Sequence, residues 1–149
     1  MGGKVFVMPR GELWELIDAR PRSRAADLSK ADIPPAFGVY AWYREGVPVY
    51  SGRALGADGL RARIWKNHLG THHDLSRSSF RRNVCEHLGI AATDRTRLRP
   101  TVMTPEEIAP VNAWIRECEV AWIEFATDNE AKEFEKSLHA EWLPPLSKR

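Results

Sequence analysis

The chain has 149 residues, of which 43% are hydrophobic and 28% charged, and its formal net charge is +2. That length and composition predict one folded domain with a core of its own, and exclude a collagen-like repeat or a disordered tail. No apolar run approaches the ~20 residues of a membrane span, so no membrane partner is expected. Met1 to Val7 holds one Lys and a short apolar patch, too little for a signal peptide. Cys85 and Cys118 form no CxxC or other framework, which fits a reducing cytoplasm.

Taken in chain order, residues 11–18 read as a short helix with Leu13, Trp14 and Ile17 on one face. Residues 20–29 read as a polar linker, and Pro34-Pro35 stops anything helical before it. Residues 37–43 are apolar on both faces, as in a central strand. Arg44-Glu45-Gly46 is a turn signal, and residues 47–51 form a second strand. A three-residue loop there would place Tyr40 opposite Tyr50. Helices are expected over 60–69 and 78–88, each stopped by a glycine. Residues 91–103 look irregular and basic. Thr104-Pro105-Glu106-Glu107 opens another helix, reaching about Arg116. Residues 120–125 alternate as a third strand. Thr127 and Glu130 form a capping-box pattern that opens a final helix ending before Pro144-Pro145. The order predicts an α/β or α+β domain with a small sheet.

Charge is unevenly spread. Residues 52–100 carry ten basic and four acidic side chains, whereas residues 101–149 carry five basic and ten acidic. The basic middle also holds four of the five His residues, which suggests a polyanion partner.

Two side chains do not suit their positions. In the final helix Ala131, Phe134, Leu138 and Trp142 form the apolar stripe, and Glu135 lies beside it. A carboxylate there is either paired with a cation or turned toward a site. In the 60–69 helix His68 lies inside the apolar arc, as a satisfied core residue or a functional one, while Arg63 lies off it. His68, His72 and His73 approach a transition-metal spacing, but Gly70 interrupts the helix between them.

The ordered pieces resemble the GIY-YIG nuclease superfamily. Gly38-Val39-Tyr40 and Tyr50-Ser51-Gly52 are similar to its two triplets, with Ser51 where Ile or Val is usual. Leu60-x-x-Arg63 resembles its helix Arg. Many members place a His or Tyr four residues on; here Asn67 holds that place and His68 stands five residues on. Glu130 to Leu138 resembles the helix carrying its Glu, at Glu135. Pro144-Pro145-Leu146-Ser147 resembles its closing motif, with Ser147 in place of Asn. Ser79-Phe80-Arg81-Arg82 is similar to a segment of a group of small bacterial members. The resemblance implies a helix and linker over 1–33 and a nuclease-like core over 34–149, with a three-stranded antiparallel sheet flanked by helices.

It also implies metal-dependent cleavage of DNA phosphodiesters, with RNA open as a substrate. Glu135 would bind the cation, Mg²⁺ or Mn²⁺. Arg63 and Arg53 would neutralise phosphate charge. Tyr40 or Tyr50 would be general base, with the lean to Tyr40, and His68 would assist. Arg77, Arg81, Arg82 and the arginines of 95–99 would grip the backbone, and Ser147 would donate a hydrogen bond. The competing readings are a nucleic-acid-binding module on a degenerate nuclease fold and a domain that docks an acidic protein.

Overall fold

The computed structural model describes residues 11–147; Met1 to Val7 lie outside them. A four-stranded antiparallel sheet runs in the order β1-β4-β2-β3, with β1 at Ser23–Arg24, β2 at Phe37–Arg44, β3 at Val47–Ala54 and β4 at Glu119–Phe125. The sheet has one strand more than the sequence suggests. The expected linker lays Ser23 and Arg24 beside Val120 and Glu119, where the edge of β4 offers unpaired backbone groups.

Strand alternation divides the sheet into two apolar faces. Val39, Ala41 and Tyr43 face α1 (Glu12–Asp18) and α5 (Asp128–Glu141), packing on Trp14, Ile17, Ala131 and Leu138. Tyr40, Trp42 and Val120 face the opposite layer. That layer holds a helix at Arg61–His68, α2 (Ser79–His87), the short α3 (Thr93–Thr96) and α4 (Pro105–Arg116). The expected capping box forms at Thr127, which accepts from the Glu130 N–H, and the expected helix start at Thr104 is a capping box too, accepting from the Glu107 N–H.

The β2–β3 hairpin departs from the expected register. Its loop is two residues long, Glu45-Gly46, and Arg44 pairs with Val47. Both loop residues are left-handed, at φ 52° and 82°. That pair of conformations matches the right-handed twist of the strands, so the tighter loop wins. A bulge then takes up Val49, so that Tyr43 faces Pro48 while Trp42 faces Tyr50. Tyr40 therefore lies opposite Gly52, not Tyr50. Pro48 needs no ladder donor because β3 is an outer strand.

The helix expected over 60–69 also differs in kind. It is wound as a π-helix, with the Leu69 N–H reaching back five residues to the Ile64 carbonyl at 2.9 Å. Ile64 and His68 are buried on it and Arg63 is exposed.

Glu45 carries a side chain in a conformation that costs an ordinary L-residue roughly 1–2 kcal/mol and that Asn adopts readily. Glu45→Asn is expected to stabilise the fold by up to about 1 kcal/mol, read as a higher urea midpoint. An unchanged midpoint would mean that the turn bears no strain at this residue.

Candidate active site

The site is built around the outer strand β3. Its alternation turns Tyr50 and Gly52 toward the helical layer, and Ser51 and Arg53 toward α5. Two residues along a strand match one turn of a helix. Accordingly Ser51 Oγ meets His139 Nε2 at 2.7 Å, and Arg53 Nη1 donates to Glu135 Oε1 at 2.8 Å.

Glycine at position 52 is required by a close approach. A Cβ there would stand 2.6 Å from the Tyr40 hydroxyl oxygen. With no side chain opposite it, the Tyr40 ring lies flat over the strand and its hydroxyl reaches His68 Nε2 at 2.6 Å. His68 Nδ1 lies 2.7 Å from Ser78 Oγ, which accepts the Arg81 N–H at 3.0 Å as the N-cap of α2. We assign the His68 proton to Nδ1, so that the ring donates to Ser78 and accepts the Tyr40 O–H. Phe80 clamps the group, stacking on Tyr50 and Trp42 and meeting His68 edge-on.

Burial sets the protonation states. Burial first, and the Arg63 and Arg81 charges second, push the His68 pKa well below its ordinary value, so the ring is neutral. Burial and then the neighbouring Tyr50 push the Tyr40 hydroxyl well above its ordinary range. Tyr50 is raised as well, mainly by burial, with Arg63 the largest opposing influence. Neither phenol carries a standing negative charge.

Arg63 is exposed and makes no hydrogen bond or ion pair to a described residue, yet its charge is felt by Tyr40, Tyr50 and His68. Arg63 stands five residues before His68 on the same helix, on its exposed side. Glu135 is 7% exposed and sits where its charge also reaches both tyrosines. Among the described residues no three His, Cys, Asp or Glu side chains cluster to cage a metal. His68 spends both ring nitrogens on Tyr40 and Ser78, which leaves neither for a site shared with His72.

Several expected contacts are otherwise employed. Ser147 is buried: its Oγ accepts the Ser51 N–H at 2.8 Å and donates to the Ser51 carbonyl at 3.2 Å, so it closes the C-terminal tail onto β3 and does not face a substrate. Arg81 is 1% exposed and lies below the surface, not on it. Arg82 is half-buried and donates to the Ser76 carbonyl at 2.7 Å and Ser79 Oγ at 3.0 Å, bracing the loop before α2. Arg95 holds Glu107 through two bonds, at 2.6 and 2.8 Å. Arg77 and Arg97 remain exposed. From the sequence Ser78 has no assigned role, and Phe80 none beyond its place in the Ser79-Phe80-Arg81-Arg82 segment. The only signal for Ser78 was a serine three residues before Arg81, the spacing of a helix cap.

Paired tyrosines on a hairpin, a helix arginine and a carboxylate on the last helix, set on a small antiparallel sheet, define a nuclease-type domain. A family model of the GIY-YIG catalytic domain matches residues 25–149. The chain belongs to that family. No curated protein and no solved structure matches it.

The buried neutral imidazole has a pH signature. The folded state keeps His68 unprotonated while the unfolded chain protonates it below about pH 6.5. The unfolded state then binds more protons, so stability falls as pH drops through that value, by up to ~1.4 kcal/mol per pH unit, and is unaffected above it. Denaturant midpoints between pH 7.5 and 5 should show this slope in the wild type and a shallower one in His68→Gln. Equal slopes would mean that His68 takes up its proton in the fold as readily as in the unfolded chain.

Proposed function

We propose that the protein is a metal-dependent endonuclease that hydrolyses DNA phosphodiester bonds. The observation that carries the proposal is the buried chain Tyr40–His68–Ser78, whose Tyr40 feels both the charge of Arg63, unpaired among the described residues, and that of the nearly buried Glu135.

A phosphodiester resists attack because of its negative charge and because water is a weak nucleophile. Tyr40 removes a proton from the attacking water. A free phenolate is too costly at this depth, so Tyr40 passes its own proton to His68 Nε2 as it accepts the new one. Ser78 holds the imidazole in the accepting tautomer. The half-buried Tyr50 lies between Tyr40 and solvent and orients the water. Arg63 neutralises charge on the non-bridging oxygens. Glu135 suits a hard cation: Arg53 occupies Oε1, and Oε2 makes no hydrogen bond to a described residue. One carboxylate is sufficient for Mg²⁺, which keeps most of its water shell. When bound, that cation would stabilise the developing and departing oxygens.

Nicking of supercoiled plasmid in Mg²⁺, with RNA and branched DNA as parallel substrates, tests the proposal. Glu135→Gln is expected to bind DNA as the wild type does and to lose nearly all cleavage. Wild-type cleavage by the amide would remove Glu135 from the metal site. A wild-type protein that retains DNA but cuts nothing in any divalent metal would be a binding module on this fold.

Tyr40→Phe and His68→Gln are each expected to cost ~10²-fold or more in turnover, and the double variant little beyond either. Residues that act as one unit lose their function once. Losses that multiply in the double variant would mean that the two groups act separately. Tyr50→Phe should cost less than Tyr40→Phe.

A further inference from the structure

Arg81 is a buried cation that the hydrolytic site does not use. Its side chain is among the largest fully buried in the molecule. Nη2 donates to Asn112 Oδ1 at 2.9 Å, while Nε is buried with no partner among the described residues. No carboxylate of a described residue lies within ion-pair distance of it. A buried guanidinium without a partner is strongly destabilising unless something compensates it. Burial already depresses its pKa to about 10, with Asp74 the opposing charge.

Beside it lies a cavity of about 380 Å³ at the N-terminus of α2. Arg81 and Ser78 line it, with Lys66, Asn67 and Arg77. Asp74 lies on one wall, its Oδ1 accepting the Ser76 and Thr101 N–H groups at 2.9 Å, so its charge is largely spent on backbone donors. Three cations and a helix N-terminus thus meet one carboxylate. Lys66 and Arg77 are exposed, which suits the mouth of the cavity.

We infer that this cavity is a binding site for a phosphate group, with Arg81 at its floor and Lys66 and Arg77 at its mouth. A guanidinium offers planar paired donors that fit phosphate oxygens. The volume falls in the range of small-molecule sites, more than a lone ion needs. That favours a phosphate carried on a nucleotide unit. On the nuclease reading it is a nucleic-acid phosphate away from the bond being cut; a free phosphate ion is the other source of the same chemistry. Ser78 links the cavity to the catalytic chain, since its Oγ also meets His68 Nδ1.

Binding to the intact protein without divalent metal tests the inference independently of cleavage. Two probes serve: inorganic phosphate, by calorimetry at ionic strength matched with chloride, and a fluorescent duplex oligonucleotide, by anisotropy across a salt series. The variants are Lys66→Ala/Arg77→Ala, both exposed, and Arg81→Lys, with circular dichroism to confirm folding. Arg24→Ala/Lys132→Ala, exposed and outside the cavity, is the control.

A nucleic-acid phosphate predicts that the cavity double variant loses at least ten-fold in oligonucleotide affinity. Its slope of log K against log salt should fall by up to ~2, and the control should change much less. A free phosphate predicts saturable ion binding that the cavity variants abolish, with oligonucleotide affinity equal to the control's. Arg81→Lys should weaken whichever ligand binds. No ion binding, together with oligonucleotide affinity indistinguishable between cavity and control variants, overturns the inference. A protein that binds phosphate through these residues but cleaves nothing overturns the nuclease reading and leaves the cavity's role standing.

Discussion

The 2.6 Å hydrogen bond between the Tyr40 hydroxyl and His68 is the constraint on which the site depends. It joins a strand to a helix, and each side must be shaped to permit it. On the strand side, Gly52 removes the side chain that would push the phenol away. On the helix side, the backbone winds one residue wider per turn, which carries His68 inward while Arg63 stays outside. Asn67, four residues after Arg63, lines the neighbouring cavity.

The two serines that depart from the family pattern have separate partners: the Ser51 hydroxyl meets His139, and the Ser147 hydroxyl bonds the Ser51 backbone. The Leu146 N–H bonds the Val49 carbonyl at 2.8 Å, and the Asn83 side chain bonds the Leu146 carbonyl at 2.7 Å. The tail therefore covers the bulged stretch of β3, an edge that would otherwise expose unpaired groups. Ser147 thus acts on closure of the fold.

Much of this was legible in the sequence, for physical reasons. Helix ends with caps announced themselves at Thr104 and Thr127, because a cap is a local interaction of residues three apart. Glu135 stood out because charge beside an apolar stripe is costly, and its pairing with Arg53 is the compensation that cost demands. What was hidden depended on long-range or backbone detail. One extra residue in β3 changed which side chain faces Tyr40, and the two-residue loop differs from a three-residue one by a single left-handed glutamate. The strand at Ser23–Arg24 has no pattern of its own and exists because β4 offers an edge. Arg81 read as a surface cation because composition cannot say which arginine of a basic segment points inward.

The electrostatics then argue for a site completed by its substrate. Burial and two cations, Arg63 and Arg81, hold His68 neutral, and burial keeps Tyr40 protonated. Neither group is a strong base in the free protein. A polyanion that pairs with Arg63, and with Arg81 through its cavity, removes the influence that opposes protonation of His68. On the nuclease reading, the imidazole becomes a better acceptor when a phosphate is bound. On that reading, the arginines both neutralise the substrate and keep the relay weak until the substrate neutralises them in turn.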